Sequence, residues 1–185
     1  MKTNFSFRFI FAVQFLMLAS TFGAQAQMSQ HKYGQLFAQA FEEVQLGNYA
    51  AAEPMLAKLH KADASHAHVA YLLGLTYVKQ GHDLQEAAIL LSKASKRYNA
   101  AHQHGRVEDT TAPSAVWLVL GEALDATGRS AEAVGAYRTY MTTIPMASIQ
   151  RKSEVIERIR MAKNADAPSR SNPEGRSQQL AALIP

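Results

Sequence analysis

The sequence contains no cysteine. That absence excludes disulfides, thiolate zinc sites, cysteine nucleophiles and lipidation of an amino-terminal cysteine. Proline is scarce, six in 185 residues, and runs of β-branched residues are few while alanine is abundant, which favours helices. Strong charge of one sign is missing too. The formal net charge is +4, but Lys2 and Arg8 stand in the first 26 residues with no acid beside them, leaving 17 basic against 15 acidic residues in the remainder. So even a balance gives no argument for nucleic acid or for an anionic membrane surface. No glycine-rich phosphate loop, G-x-S-x-G, H-E-x-x-H or isolated acid pair in an apolar setting occurs, and Glu42 and Glu43 read as solvated helix residues. The expectation is a non-enzyme without cofactor, and the length suits one compact domain.

Residues 1–26 read as an export signal. Lys2 and Arg8 make a positive start, residues 9–22 are almost wholly apolar, and Ala24-Gln25-Ala26 is a small-x-small cleavage site. The apolar run falls short of the ~20 residues that span a bilayer, and nothing later in the chain resembles a spanning segment. The expected mature protein is therefore periplasmic or otherwise exported, with no transmembrane segment once the signal is removed.

The main signal is a repeat. Gly47, Gly81 and Gly128 each close one helical run and precede another, at intervals of 34 and 47 residues. The longer interval carries the polar stretch from Asn99 to Ala112, NAAHQHGRVEDTTA, which has turn formers and poor helical periodicity. The expected helices are 31–46, 49–62, 66–80, 83–98, 113–127 and 130–143. A seventh follows, with Val155, Ile156, Ile159 and Met161 as its apolar stripe, and residues 165–185 read as a mostly disordered tail. Small residues, Ala40, Gly74 and Gly121 on the first helix of each pair and Ala52, Ala87 and Ala133 on the second, would let paired helices approach closely. Trp117, Tyr77, Tyr137 and Leu56 would fill the spaces between units. The three turn glycines would adopt left-handed backbone.

Trp117-x-x-Leu120-Gly121-x-x-Leu124, followed by Gly128, Ala133, Tyr137 and Pro145, resembles the tetratricopeptide signature nearly position for position. Leu73-Gly74-x-x-Tyr77, Gly81, Ala87, Leu91 and Ala94 repeat it, and Leu36, Ala40, Gly47, Tyr49, Ala52 and Leu56 repeat it more loosely. The resemblance implies an all-α fold: three tetratricopeptide-type helical hairpins (about 33–65, 67–98 and 114–145) in a short right-handed solenoid, with a capping helix over 147–164, together one domain from 27 to 164. AHVAYLLGLTYVKQG (67–81), AAILLSKASKRY (87–98) and APSAVWLVLGEAL (112–124) are more narrowly similar to the tetratricopeptide region of large bacterial envelope proteins. Those proteins also carry a β-propeller and an OmpA-like peptidoglycan-binding domain. No segment of these 185 residues matches either of those domains, so wall anchoring is not carried over. The resemblance implies an envelope setting and a partner that is another envelope protein.

Such stacks bind partners in the groove lined by the first helix of each pair. Counted from the small residue of each such helix, the groove positions are Phe37, Phe41 and Val44, then His68, Tyr71, Leu75 and Lys79, then Leu118, Glu122 and Asp125. Most are apolar or aromatic, which suits an apolar helix or an extended segment. In so short a stack the same residues would equally serve as ordinary core if the chain folds across them. Phe37 and Phe41 stand where a basic residue and an asparagine would be needed to hold a carboxylate tail, so that binding mode is not carried over. The alternative working surfaces are the convex face and the basic tail. Two His-x-His pairs, His66/His68 and His102/His104, complete the candidates. Residues two apart on a helix point in different directions, and the second pair has only Glu108 and Asp109 as nearby carboxylates, so both pairs read as solvated histidines and no metal is expected.

Overall fold

The computed structural model describes residues 28–145 and 148–166. The expected export signal, and the tail beyond Asp166, lie outside the described residues. The described chain is all-α, with seven helices and no strand: α1 Gln30–Gln45, α2 Tyr49–Ala62, α3 Ala67–Gln80, α4 Leu84–Ser95, α5 Ala115–Ala126, α6 Ser130–Thr143 and α7 Ile149–Asp166. None of these helices is long and apolar enough to cross a membrane.

Local chemistry sets most of the boundaries. The Ser29 side chain accepts the Lys32 N–H at the start of α1, and the His66 imidazole Nδ1 accepts the Val69 N–H at the start of α3. The turns after α1, α3 and α5 are built alike. Gly47, Gly81 and Gly128 have φ of 78°, 73° and 79°. The next residue in each case returns its N–H five positions back, Asn48 to Glu43 (2.8 Å), His82 to Tyr77 (3.3 Å) and Arg129 to Leu124 (2.8 Å). That 6→1 bond satisfies a carbonyl the helix end leaves open, and the left-handed backbone it needs costs glycine little.

Each helix packs chiefly on the next one along the chain, with lesser contacts of α1 with α3 and of α3 with α5. Within the pairs the approach is close. A Cβ placed on Gly74 would lie 2.7 Å from Leu91 Cγ, and one on Gly121 would lie 2.3 Å from the Tyr137 ring. Leu91 and Tyr137 are fully buried over these glycines; burying a side chain of that size is worth about 1.5–3 kcal/mol. Tyr137 therefore packs within its own helix pair rather than between units as expected from the repeat, because the missing Cβ of Gly121 leaves the space its ring occupies. Tyr77 packs against the core near Glu53 of α2. It is half-buried and leans on His82 in the turn, ring centroids 5.3 Å apart.

Two ends depart from expectation. The helix expected over 83–98 stops at Ser95, because Tyr98 forms an isolated bridge with Ala112: the Asn99 N–H reaches the Ala112 carbonyl and the Ala112 N–H reaches the Arg97 carbonyl, each at 3.0 Å. In α7 the buried face is Val155 and Ala162, with Ile159 partly buried, whereas Ile156 is exposed. Positions 155, 159 and 162 fall on one side of a 3.6-residue helix and 156 does not. That face lies on α6, and Arg158 pairs with Glu122 of α5 at 3.1 Å.

Candidate functional site

The polar insertion decides what becomes of the groove. Residues 99–112 fold back over the first turn of α3 and are sewn to it from several sides. The Ala67 N–H donates to the Thr110 carbonyl at 2.9 Å, and the His66 Nε2–H donates to the Val107 carbonyl at 2.9 Å. Arg97 adds two bonds, to the Ser65 carbonyl (2.9 Å) and to Thr110 Oγ1 (3.2 Å). Asp109 organises the insertion itself: its carboxylate accepts the N–H groups of Gln103 (2.7 Å) and Thr111 (3.0 Å) and the Thr111 hydroxyl. The Thr111 hydroxyl and then these amides hold Asp109 well below the usual carboxylate range.

Beneath the insertion lies an aromatic cluster. Phe37 stacks at 6.1 Å on Phe41 and meets the edge of His68 at 5.3 Å; His68 lies 6.0 Å from Phe41 and 6.4 Å from Tyr71. Gly105 rests on the Phe41 ring, where an added Cβ would sit 3.1 Å from Cε1. Phe37, His68 and Tyr71 are buried, at 1%, 0% and 7% exposure. These three groove candidates therefore do not line an open surface. The insertion closes over Phe41 through Gly105 and over His68 through His102 and His104, while Tyr71 is enclosed near Tyr49, Glu122 and Tyr140 of the helices. Ala40, Val44 and Asp125 are likewise buried, Asp125 accepting the Ser130 hydroxyl at 3.3 Å. Glu122 is engaged by Arg158. Leu75 and Leu118 are half-buried against the core, and Lys79 is half-exposed.

The histidines are the second departure. His66 and His68 are buried rather than solvated. His66 has spent both nitrogens, one on capping α3 and the other on Val107. His68 points instead toward the insertion, where His102 lies 4.3 Å and His104 6.3 Å away between ring centroids; His102 and His104 are 4.9 Å apart. The residues that come together are thus His68, His102 and His104, one from α3 and two from the insertion, a grouping the spacing of neither His-x-His pair revealed. Burial first, then the adjacent His102, His66 and His104, push His68 down to about 3. Burial is also the largest influence lowering His102, opposed by Asp109. Both imidazoles are therefore neutral at neutral pH, with lone pairs to offer.

Comparison with protein-family models, with curated proteins and with solved structures finds no match.

Proposed function

We propose that the chain is a non-catalytic protein–protein interaction adaptor of the bacterial cell envelope, built as three tetratricopeptide-type hairpins of a short right-handed solenoid closed by α7. One observation carries the reading: each helix packs on its neighbour in sequence, and the first helices of successive pairs also touch, α1 to α3 and α3 to α5. A stack of this kind presents a continuous side to a partner while needing only nearest-neighbour contacts to stand. The like turns at Gly47, Gly81 and Gly128, and the matched close approaches at Gly74 and Gly121, support the same reading. The envelope setting rests on the pattern of residues 1–26.

With Phe37, His68 and Tyr71 buried, the part of this side left for recognition is that of Leu75, Lys79 and Leu118. Two apolar side chains beside a cation suit an amphipathic segment that carries an acid. Leu75→Asp combined with Leu118→Asp is expected to abolish capture of the partner from envelope extracts while circular dichroism still reports a folded helical protein. Undiminished capture by that folded variant would remove the groove from the proposal. Tyr71→Ala is not a fair test, since Tyr71 is core.

A second reading places the contact on the outer side. It is favoured by Ile149 and Ile156, 74% and 55% exposed and seven residues apart on α7. Ile149→Asp with Ile156→Asp, alongside removal of residues 167–185, separates the two: loss of capture here but not in the Leu75/Leu118 variant selects the outer side.

A further inference from the structure

The most costly arrangement in the described chain is His68. Its imidazole is fully buried, yet neither nitrogen has a hydrogen-bond partner among the described residues. A buried polar atom left in that state is destabilising, and His68 carries two. The neighbouring aromatic rings of Phe37, Phe41 and Tyr71 offer no acceptor to its N–H in the manner a carbonyl would. What faces it is two further imidazoles. His68, His102 and His104 each present one ring nitrogen, and those three atoms lie within 4.8 Å of one another.

We propose that His68, His102 and His104 form a binding site for a divalent first-row transition-metal ion of the zinc, copper and nickel group. The donor set selects that class. Three imidazoles suit zinc, copper or nickel, whereas magnesium and calcium require oxygen ligands that this cluster lacks. Around an ion bound at 2.0–2.1 Å the ligand nitrogens would stand about 3.3 Å apart, so the site closes by at most roughly 1.5 Å from the separations in the structure. The insertion can supply that movement. His104 is its exposed member, and Gly105 next to it has left-handed backbone, φ 75°, free of a side chain.

A supporting layer of contacts is already built. Thr111 donates its hydroxyl hydrogen to Asp109, so its oxygen is open to accept from His102 Nδ1 at 3.2 Å; Asp109 Oδ2 lies 3.4 Å from the same nitrogen. The proton is thereby fixed on Nδ1. Nε2 of His102, buried and without a hydrogen-bond partner among the described residues, is left as the donor atom. Metal-binding histidines are oriented by carboxylates in this way. Three protein ligands leave a fourth position, on the side of exposed His104, for water or a group from a partner. A bound ion would also tie the insertion to α3 and hold it down over Phe41. The site is independent of the adaptor reading and stands or falls separately from it.

The test uses tag-free mature protein stripped with chelator and dialysed against zinc, cobalt, copper or nickel salts, followed by elemental analysis and titration calorimetry. One ion per chain is expected, cobalt giving the visible absorption of a four-coordinate nitrogen-rich site, and zinc raising Tm. His104→Ala, at an exposed position, is expected to keep its circular dichroism and to lose at least about tenfold in affinity; Asp109→Asn is expected to weaken binding by about tenfold through loss of orientation. His60→Gln with His82→Gln, away from the cluster, should bind as the parent does. Absence of stoichiometric binding by all four ions would overturn the proposal. So would unchanged affinity in folded His104→Ala and His102→Ala, or a loss of binding that follows His60 and His82 instead.

Discussion

Four glycines at helix positions show how little a residue type means before its neighbours are known. Gly74 and Gly121 lie against Leu91 and Tyr137, so a methyl group has nowhere to go, while among the described residues Gly135, in the interior of α6, has nothing within 4 Å of an added Cβ, and Gly34 has only Val107 at 3.9 Å. Helix propensity alone makes Gly→Ala favourable by about 0.8–1 kcal/mol at any of them. At Gly135 that gain stands by itself, so Gly135→Ala is expected to raise stability by about 0.5–1 kcal/mol. At Gly121 the substitution drives a Cβ into a buried, rigid ring, an overpacking that costs about 1–3 kcal/mol or more. Gly121→Ala is expected to be destabilised in urea unfolding, and adding Tyr137→Leu should recover part of the loss by clearing the ring. A second residue-scale expectation concerns Asp63, whose carboxylate accepts both the hydroxyl (2.7 Å) and the N–H (2.9 Å) of Ser65. The hydroxyl bond is the largest cause holding Asp63 below its ordinary value, against an opposing effect of burial; His66 and Arg97 add smaller pulls, and Tyr33 and His60 are its other titratable neighbours. A lowered carboxyl contributes stability that is complete above the unfolded-state value and disappears as the pH falls through the folded one. Carboxyl-carbon NMR should therefore place the Asp63 midpoint below 3.8, with Ser65→Ala moving it upward; a midpoint at or above 3.8 in the parent protein would contradict the geometry.

At the scale of elements, the insertion between α4 and α5 behaves as a structured part of the molecule although it has neither helix nor strand. Its order comes from Asp109 within and from Arg97, Ala67 and His66 outside, which together satisfy several backbone groups that a buried loop would otherwise leave open. Arg97 is the most exposed of these ties and the easiest to cut without touching the core. Arg97→Ala is expected to speed amide exchange at Ala67 and Ala112, whose N–H groups bond along this seam, and to hasten tryptic cleavage after Arg106. Equal cleavage rates in the parent and the variant would mean that Arg97 has no part in holding the insertion down.

Across the whole molecule, the last helix among the described residues is α7, which covers α6 and reaches to α5 through Arg158 and Glu122. Their side chains are 20% and 17% exposed, so the pair is shielded more than a surface ion pair though less than a fully buried one. Glu122→Ala leaves Arg158 without this partner and is expected to cost more than the ~1 kcal/mol of an exposed pair and less than the ~3–5 kcal/mol of a fully buried one, read as a lower urea midpoint, with α7 amides exchanging sooner than those of α3 and α4. Uniform loss of protection along the chain would show instead that α7 unfolds together with the rest.

Much of this was written in the linear pattern. The glycines at 47, 81 and 128, the small residues at Ala40, Gly74 and Gly121, and the apolar spacing between them place six helices to within a few residues, because each is set by contacts three to five positions away along the chain. Tyr137 and Tyr77 marked the limit of that reading: their size was legible, but whether they fill a space inside a helix pair, between pairs or beside a turn depends on which neighbour lacks a side chain. The sequence left the fate of Phe37, His68 and Tyr71 open between groove and core. An aperiodic stretch such as 99–112 has no fixed direction in the sequence, and only the folded chain lays it over α3, burying a face that the repeat left open and carrying His102 and His104 across thirty-odd residues to His68. Local order follows from short-range sterics and hydrogen bonds that each segment carries with it; the meeting of those three imidazoles is a long-range contact, and it exists only once the helices are in place to receive it.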